Sequence, residues 1–100
     1  MTNSALRDLQ GIDDYWTNRE EPDRGEKYVR DLFHAAQTLL CDPESARRGR
    51  PVRGALLPGT RFIPVFKSSY RIIYRIEEGE AIVYVLSFRH SHRDEPGALI

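Results

Sequence analysis

The side chains best suited to chemistry in this sequence are arginines and a histidine in its second half. Arg61 and Arg71 lie in β-prone runs, and His90 and Arg93 follow the last of these runs. Histidine exchanges a proton near neutral pH, and arginine stabilises negative charge on a phosphate. Cleavage of RNA through its 2′-hydroxyl needs such an acid or base beside such cations. These four residues form the candidate catalytic set.

Each member of this set also has a structural interpretation. His90 could close the end of a strand through a hydrogen bond, and Arg93 could form an ion pair with the neighbouring Asp94. Residue types alone do not separate the catalytic interpretation from the structural one.

A second group of residues indicates contact with another macromolecule. A surface that mixes apolar, aromatic and arginine side chains is typical of the core of a protein interface. The residues assigned to contact with a partner protein or nucleic acid are Arg50, Arg75, Ile73, Tyr84, Leu86, Phe88 and His92. The carboxy-terminal residues 98–100 could cover the same surface by folding back.

Composition limits the classes of protein. A chain of 100 residues with 40% apolar side chains predicts a single domain over residues 1–100. No segment is apolar enough for a membrane span or a signal peptide, so we expect a cytoplasmic protein. The single Cys41 offers neither a disulfide nor metal-ligand spacing, and no cofactor or metal is expected.

The net charge of zero hides an asymmetry along the chain. Residues 1–45 carry five basic against ten acidic side chains, and residues 46–100 carry ten against five. The basic second half is therefore the candidate for meeting a polyanion or an acidic partner, although arginines that merely flank a sheet would give the same count.

Two amphipathic helices are predicted in the acidic half. Apolar residues recur at helical spacing from Ser4 to about Asn18, with Ser4 or Asn3 as the cap. Gly11 lies inside this helix, and close approach of another helix would explain it. A second helix should begin near Pro22 and end before Pro43, because the residue that precedes proline avoids helical angles.

Three β-prone runs follow an irregular loop over residues 43–59. They are Arg61–Lys67, Tyr70–Glu77 and Glu80–Phe88. With the helices they predict an α+β fold, in which an antiparallel helix hairpin packs on a three- to four-stranded antiparallel sheet.

A two-residue turn at Glu78-Gly79 would fix the register of the last two strands. On the core face it pairs Ile76 with Ala81, Tyr74 with Val83, Ile72 with Val85 and Tyr70 with Ser87. By alternation, the opposite face should carry Arg71, Arg75, Ile73, Tyr84, Leu86, Phe88 and His90.

Four segments occur in a characteristic order. They are Gly49-Arg50-Pro51-Val52, Gly59-Thr60-Arg61, the strand Tyr70–Ile76 and His90-Ser91-His92-Arg93-Asp94. In this order, behind a helix hairpin, they resemble the RelE/ParE superfamily of type II toxin–antitoxin toxins, which includes plasmid stabilisation proteins. The resemblance covers nearly the whole chain.

The resemblance implies a growth inhibitor that a cognate antitoxin neutralises. Similarity to the ParE branch implies inhibition of DNA gyrase, and similarity to the RelE branch implies ribosome-dependent cleavage of mRNA. RelE-like ribonucleases often carry a tyrosine after the last basic motif or a lysine pair. Here no tyrosine follows Tyr84, and Lys67 is the only lysine of the second half. This favours a ParE-like toxin, with a degenerate, non-toxic binding module as a third interpretation.

The amino terminus departs from the superfamily. Its members usually begin with a strand, whereas only Met1 to Asn3 precede the first helix here. Either Met1 is not the true start, or one edge of the sheet is unpaired and open to strand addition. We expect an acidic, amphipathic antitoxin segment to lie across the helices or this edge.

Overall fold

The computed structural model describes residues 1–54, 59–67, 69–77, 79 and 82–90, apart from the side chain of Pro43. The helices are α1 (Asn3–Asn18), α2 (Pro22–Cys41) and the single turn α3 (Pro43–Ala46); the strands are β1 (Arg50–Pro51), β2 (Thr60–Val65), β3 (Tyr70–Glu77) and β4 (Ile82–His90). The four strands form one antiparallel sheet in the order β1-β2-β3-β4. The predicted α+β fold is confirmed.

The helix boundaries follow from local chemistry. Thr2, rather than Ser4 or Asn3, caps α1, because its hydroxyl oxygen accepts a hydrogen bond of 3.2 Å from the backbone N–H of Ala5. Pro22 occupies the start of α2 as predicted. The chain leaves the helix at Asp42, whose extended backbone is what a following proline requires.

The close approach of the two long helices occurs at Gly25, not at Gly11. A Cβ atom on Gly25 would lie 2.8 Å from the Cβ of Trp16, whereas one on Gly11 would meet nothing within 4 Å. The expectation that a neighbouring helix explains Gly11 was therefore wrong.

The core lies between the helix hairpin and one face of the sheet. Ala5, Leu9 and Ile12 of α1 and Leu32, Ala36 and Leu39 of α2 pack there against Tyr70, Ile72, Tyr74, Ile76, Val83, Val85 and Phe88 of the sheet. Burial of these side chains is the main term that holds the two layers together.

The connection between helices and sheet is more regular than predicted. Within residues 43–59 the chain forms α3 and then β1, in which Arg50 pairs with Phe62 and Pro51 pairs with Arg61. The short strand β1 supplies the fourth strand of the sheet.

The register of the β3–β4 hairpin differs from the predicted one. From the turn as far as Tyr74, each β3 residue lies opposite a partner two positions later than expected, since Ile76 pairs with Val83 and Tyr74 with Val85. Pairing begins at Glu77 and Ile82, which leaves four residues in the connection instead of two. Since side chains alternate with a period of two, this shift keeps the same residues on the core face.

A bulge in β4 has a larger consequence. Between Ile73 and Tyr74 on β3 the register slips by one residue, and Leu86 of β4 is the extra residue. Beyond the bulge the two faces of β4 are exchanged. Phe88 therefore lies opposite Ile72 in the core, and the prediction that it faces away from the helices was wrong.

The outer edge of β4 is partly occupied by the start of the chain. The backbone N–H of Thr2 donates to the carbonyl of Val85 at 3.1 Å, and Asp8 accepts from the backbone N–H of Phe88 at 3.1 Å. The expected unpaired edge thus has hydrogen-bond partners at these two positions. Among the described residues, no helix is both long and apolar enough to cross a membrane.

Candidate functional site

The side of the sheet opposite the helix hairpin, called the helix-free face below, carries the candidate site. Directly paired residues share a face, and the pairing therefore assigns its members. They include Arg50, Phe62, Pro64, Arg71, Ile73, Arg75, Tyr84 and Arg89.

Two arginines stand side by side on this face. Arg71 of β3 lies directly opposite Arg89 of β4, and like charges in that arrangement are destabilising. The Nε atom of Arg89 is buried and has no hydrogen-bond partner among the described residues. The Arg71 guanidinium lies over the Phe62 ring, 5.3 Å from its centroid. The pair therefore places two positive charges side by side, without an ion-pair partner for either among the described residues.

A groove runs beside Arg71 towards β1. Its volume is about 560 Å³, within the range of about 300–1,000 Å³ typical of ligand sites. Ile73, only 3% exposed, contributes to an apolar lining outside the main core. The described residues that line it are Arg50, Pro51, Val52, Arg53, Phe62, Arg71 and Ile73.

The other end of the helix-free face is different in character. Arg75 forms an ion pair of 2.8 Å with Glu77. Tyr84, which lies opposite Arg75, and Ile82 are 39% and 40% exposed. At this end Tyr84 and Ile82 form an aromatic and apolar contact surface, and Glu77 balances the charge of Arg75.

Arg61 lies on the helix side of the sheet, not on the helix-free face. It pairs with the core residue Tyr74, and its Nη1 donates to the carbonyl of Gly49 at 2.9 Å. The Tyr74 hydroxyl donates to the carbonyl of Ala46, and burial is the main cause that raises the pKa of Tyr74. Arg61 and Tyr74 together hold the α3–β1 connection against the sheet.

Gly49 has no room for a side chain beside this pair. A Cβ atom there would lie 1.8 Å from the Tyr74 hydroxyl oxygen. The glycine of the Gly49-Arg50-Pro51-Val52 segment is thus required for packing, and the segment places Arg50 at the groove.

His90 also lies on the helix side. It pairs with Tyr70 beyond the bulge, and the two rings meet edge to face with centroids 5.0 Å apart. Tyr70 in turn accepts a hydrogen bond of 3.1 Å from the indole N–H of Trp16. The prediction that His90 shares a face with Arg71 was wrong, because the bulge at Leu86 reverses the alternation.

Of the three described members of the candidate catalytic set, Arg61, Arg71 and His90, only Arg71 lies on the helix-free face. His92 and Arg93 fall outside the described residues. Of the residues assigned to partner contact, Arg50, Ile73, Arg75 and Tyr84 lie on that face. Phe88 is in the core, and Leu86 is the bulge residue.

Arg89 was missed by the sequence analysis. Strict alternation along β4 puts polar Ser87 in the core and Phe88 outside it, which is the reverse of what burial favours. That conflict is the signal of a bulge, and it would have moved Arg89 to the helix-free face.

No metal site is formed within the part of the chain that the structure describes. No group of three or more His, Cys, Asp or Glu side chains converges there.

The comparison with protein families identifies the chain. The family described as "ParE toxin of type II toxin-antitoxin system, parDE" matches residues 1–95. The chain belongs to this family. This ParE-family protein is thus the toxin of a type II pair, whose partner is a cognate antitoxin. The resemblance drawn from the four sequence segments is confirmed, while a search among curated proteins found no match.

Proposed function

We propose that this ParE-family toxin inhibits growth by binding DNA gyrase in the cytoplasm, without hydrolysing RNA. The observation that carries the proposal is the separation of His90 from Arg71 by the thickness of the sheet. General acid–base catalysis requires the proton-transferring group within hydrogen-bond reach of the reacting atoms that the cation stabilises. These two residues do not meet that condition.

The helix-free face has the composition of a binding surface instead. Tyr84 and Ile82 are the exposed apolar contacts at one end, and Arg71 and Arg89 supply the charge at the other. Tyrosine and arginine are the residue types that contribute most at protein interfaces. We infer that gyrase contacts this face.

The test uses purified toxin in two reactions. In a gyrase supercoiling reaction we expect a concentration-dependent loss of supercoiled product. In a cell-free translation reaction we expect the mRNA to remain intact. Site-specific cuts in the mRNA, with gyrase unaffected, would refute the proposal and assign RelE-like chemistry. No effect in either reaction from a folded protein would point to a non-toxic binding module.

Variants sharpen the result. Arg71→Ala should weaken gyrase inhibition, because the helix-free face loses a charge that has no acidic partner among the described residues. His90→Phe keeps an aromatic ring against Tyr70 and should inhibit gyrase like the unmodified toxin. If mRNA is cut and His90→Phe abolishes the cutting, His90 is catalytic after all.

A further inference from the structure

We propose that the groove lined by Arg50, Arg53 and Arg71 binds an acidic peptide segment that carries an aliphatic anchor residue. The inference rests on the proposed function in one respect, namely that the antitoxin supplies the segment. Binding there would cover the helix-free face and so block access of the target.

The charge of the groove selects an acidic occupant. Arg50, Arg53 and Arg71 contribute to its lining, and Arg89 lies directly across from Arg71. None of these four has an ion-pair partner among the described residues, whereas Arg75 on the same face is paired with Glu77. Carboxylates are the groups that arginine recognises through paired hydrogen bonds. An acidic segment would also relieve the repulsion between Arg71 and Arg89.

The apolar lining selects a peptide over a nucleic acid. Single-stranded nucleic acids bind basic surfaces by stacking bases on aromatic rings. Phe62 is the one aromatic ring among the described residues of the groove, and the Arg71 guanidinium already lies over it. Pro51, Val52 and Ile73 are aliphatic, and they fit a branched side chain such as leucine or isoleucine.

The groove lies beside residues of the helix-free face that are proposed to contact gyrase, so a peptide bound in it would compete with gyrase. Phe62 pairs with Ile73, and Arg75 two residues further along β3 pairs with Tyr84. A peptide seated on Ile73 therefore lies within two residue positions of the exposed Tyr84. The neutralising segment and the target would compete for adjoining parts of one face.

The test measures fluorescence polarisation of labelled peptides with the full chain. The probe is an eight-residue peptide in which Leu-Ile is flanked on each side by three glutamates. A second peptide replaces Leu-Ile with Ser-Ser, and a ten-nucleotide oligouridine serves as the nucleic-acid arm. We expect the probe to bind the toxin, the Ser-Ser peptide to bind at least about fivefold more weakly, and affinity to fall with added salt.

Charge-matched variants locate the site. Arg71→Gln combined with Arg89→Gln should lower affinity for the probe about tenfold, because two charge-assisted contacts are removed. Arg7→Gln combined with Arg30→Gln removes the same charge from exposed positions of the helices and should change affinity less than about twofold. Val52→Trp fills the groove and should weaken binding with all arginines retained. Circular dichroism verifies that each variant is folded.

Three results would overturn the inference. Equal binding by the two double variants would show that general charge, not this groove, attracts the probe. Tighter binding of the oligouridine, with the same dependence on Arg71 and Arg89, would assign the groove to nucleic acid. A concentration-dependent dimer that the groove variants abolish would assign it to a second copy of the chain.

The binding assay contains no gyrase, so the two proposals fail separately. If the probe binds as expected while supercoiling is unaffected, the groove is confirmed and the proposed target is wrong. If supercoiling is inhibited but no variant changes peptide binding, the target is right and the groove assignment is wrong.

Discussion

The substitution Arg89→Thr should stabilise the protein, although it removes a large, partly buried side chain. It eliminates a like-charge contact with Arg71, which costs about 0.2–1 kcal/mol in such cross-strand pairs. It also removes a buried Nε atom without a hydrogen-bond partner among the described residues, a defect that costs about 1 kcal/mol or more. The loss of the aliphatic part of the side chain opposes these gains by about 1 kcal/mol.

Arg75→Thr is the matched control for this experiment. It removes the same atoms from the same face of the sheet, so that the loss of aliphatic contacts largely cancels in the comparison. Arg75, however, loses an ion pair of 2.8 Å with Glu77, which is worth about 0.5 kcal/mol at this partly exposed position. The free energies of unfolding of the two variants should therefore differ by about 2 kcal/mol.

The assay is thermal unfolding followed by circular dichroism at pH 7. For a domain of this size, the expected difference corresponds to a melting temperature about 8–16 °C higher for Arg89→Thr than for Arg75→Thr. If Arg89→Thr melts at or below the temperature of Arg75→Thr, the interaction between Arg89 and Arg71 is not unfavourable. The two arginines would then be compatible with a purely structural role on this face.

Three further substitutions test the packing of the fold. Gly11→Ala should raise the free energy of unfolding by about 0.5–1 kcal/mol, since the new Cβ meets open space in a helix. Gly25→Ala should lower the free energy of unfolding, because its Cβ would lie 2.8 Å from the Cβ of Trp16. Urea unfolding of the two variants checks both signs. Tyr74→Phe should lower the free energy of unfolding by about 1 kcal/mol near neutral pH through loss of the hydrogen bond to the Ala46 carbonyl, again measured in urea. Burial raises the pKa of Tyr74 above the ordinary value of 10.0, so its neutral form stabilises the folded state fully below pH 10 and this stability is lost as pH rises through the folded pKa. Alkaline unfolding should thus be shallower in Tyr74→Phe, and an identical pH profile would contradict the assignment.

The helices and the core face of the sheet could be predicted because each depends on local periodicity. Apolar spacing and Pro22 determine where α2 begins, and Tyr70, Ile72, Tyr74 and Ile76 alternate strictly along β3. The core assignment for β3 also survived an incorrect turn length, because alternation within β3 does not depend on its pairing with β4.

The face assignment in the last part of β4 could not be derived by alternation. Because Leu86 is one extra residue in β4, Arg89 and not His90 lies on the helix-free face. The bulge depends on tertiary contacts, among them the hydrogen bonds of 2.7 and 3.1 Å that Asp8 accepts from the Ser87 hydroxyl and the Phe88 backbone N–H. Asp8 lies 79 and 80 positions before these two residues. The alternation of side chains within β4 therefore gives no indication of this contact. The sequence therefore predicted the face of Arg71 and Ile73 correctly and the face of His90 incorrectly.

Growth inhibition in the absence of antitoxin tests most directly whether this toxin acts by binding through the helix-free face. The measurement is plating efficiency after induced expression of two folded variants at matched protein levels. We predict that His90→Phe remains as toxic as the unmodified chain and that Arg71→Gln combined with Arg89→Gln is harmless. Loss of toxicity in His90→Phe, with full toxicity in the double arginine variant, would contradict the account.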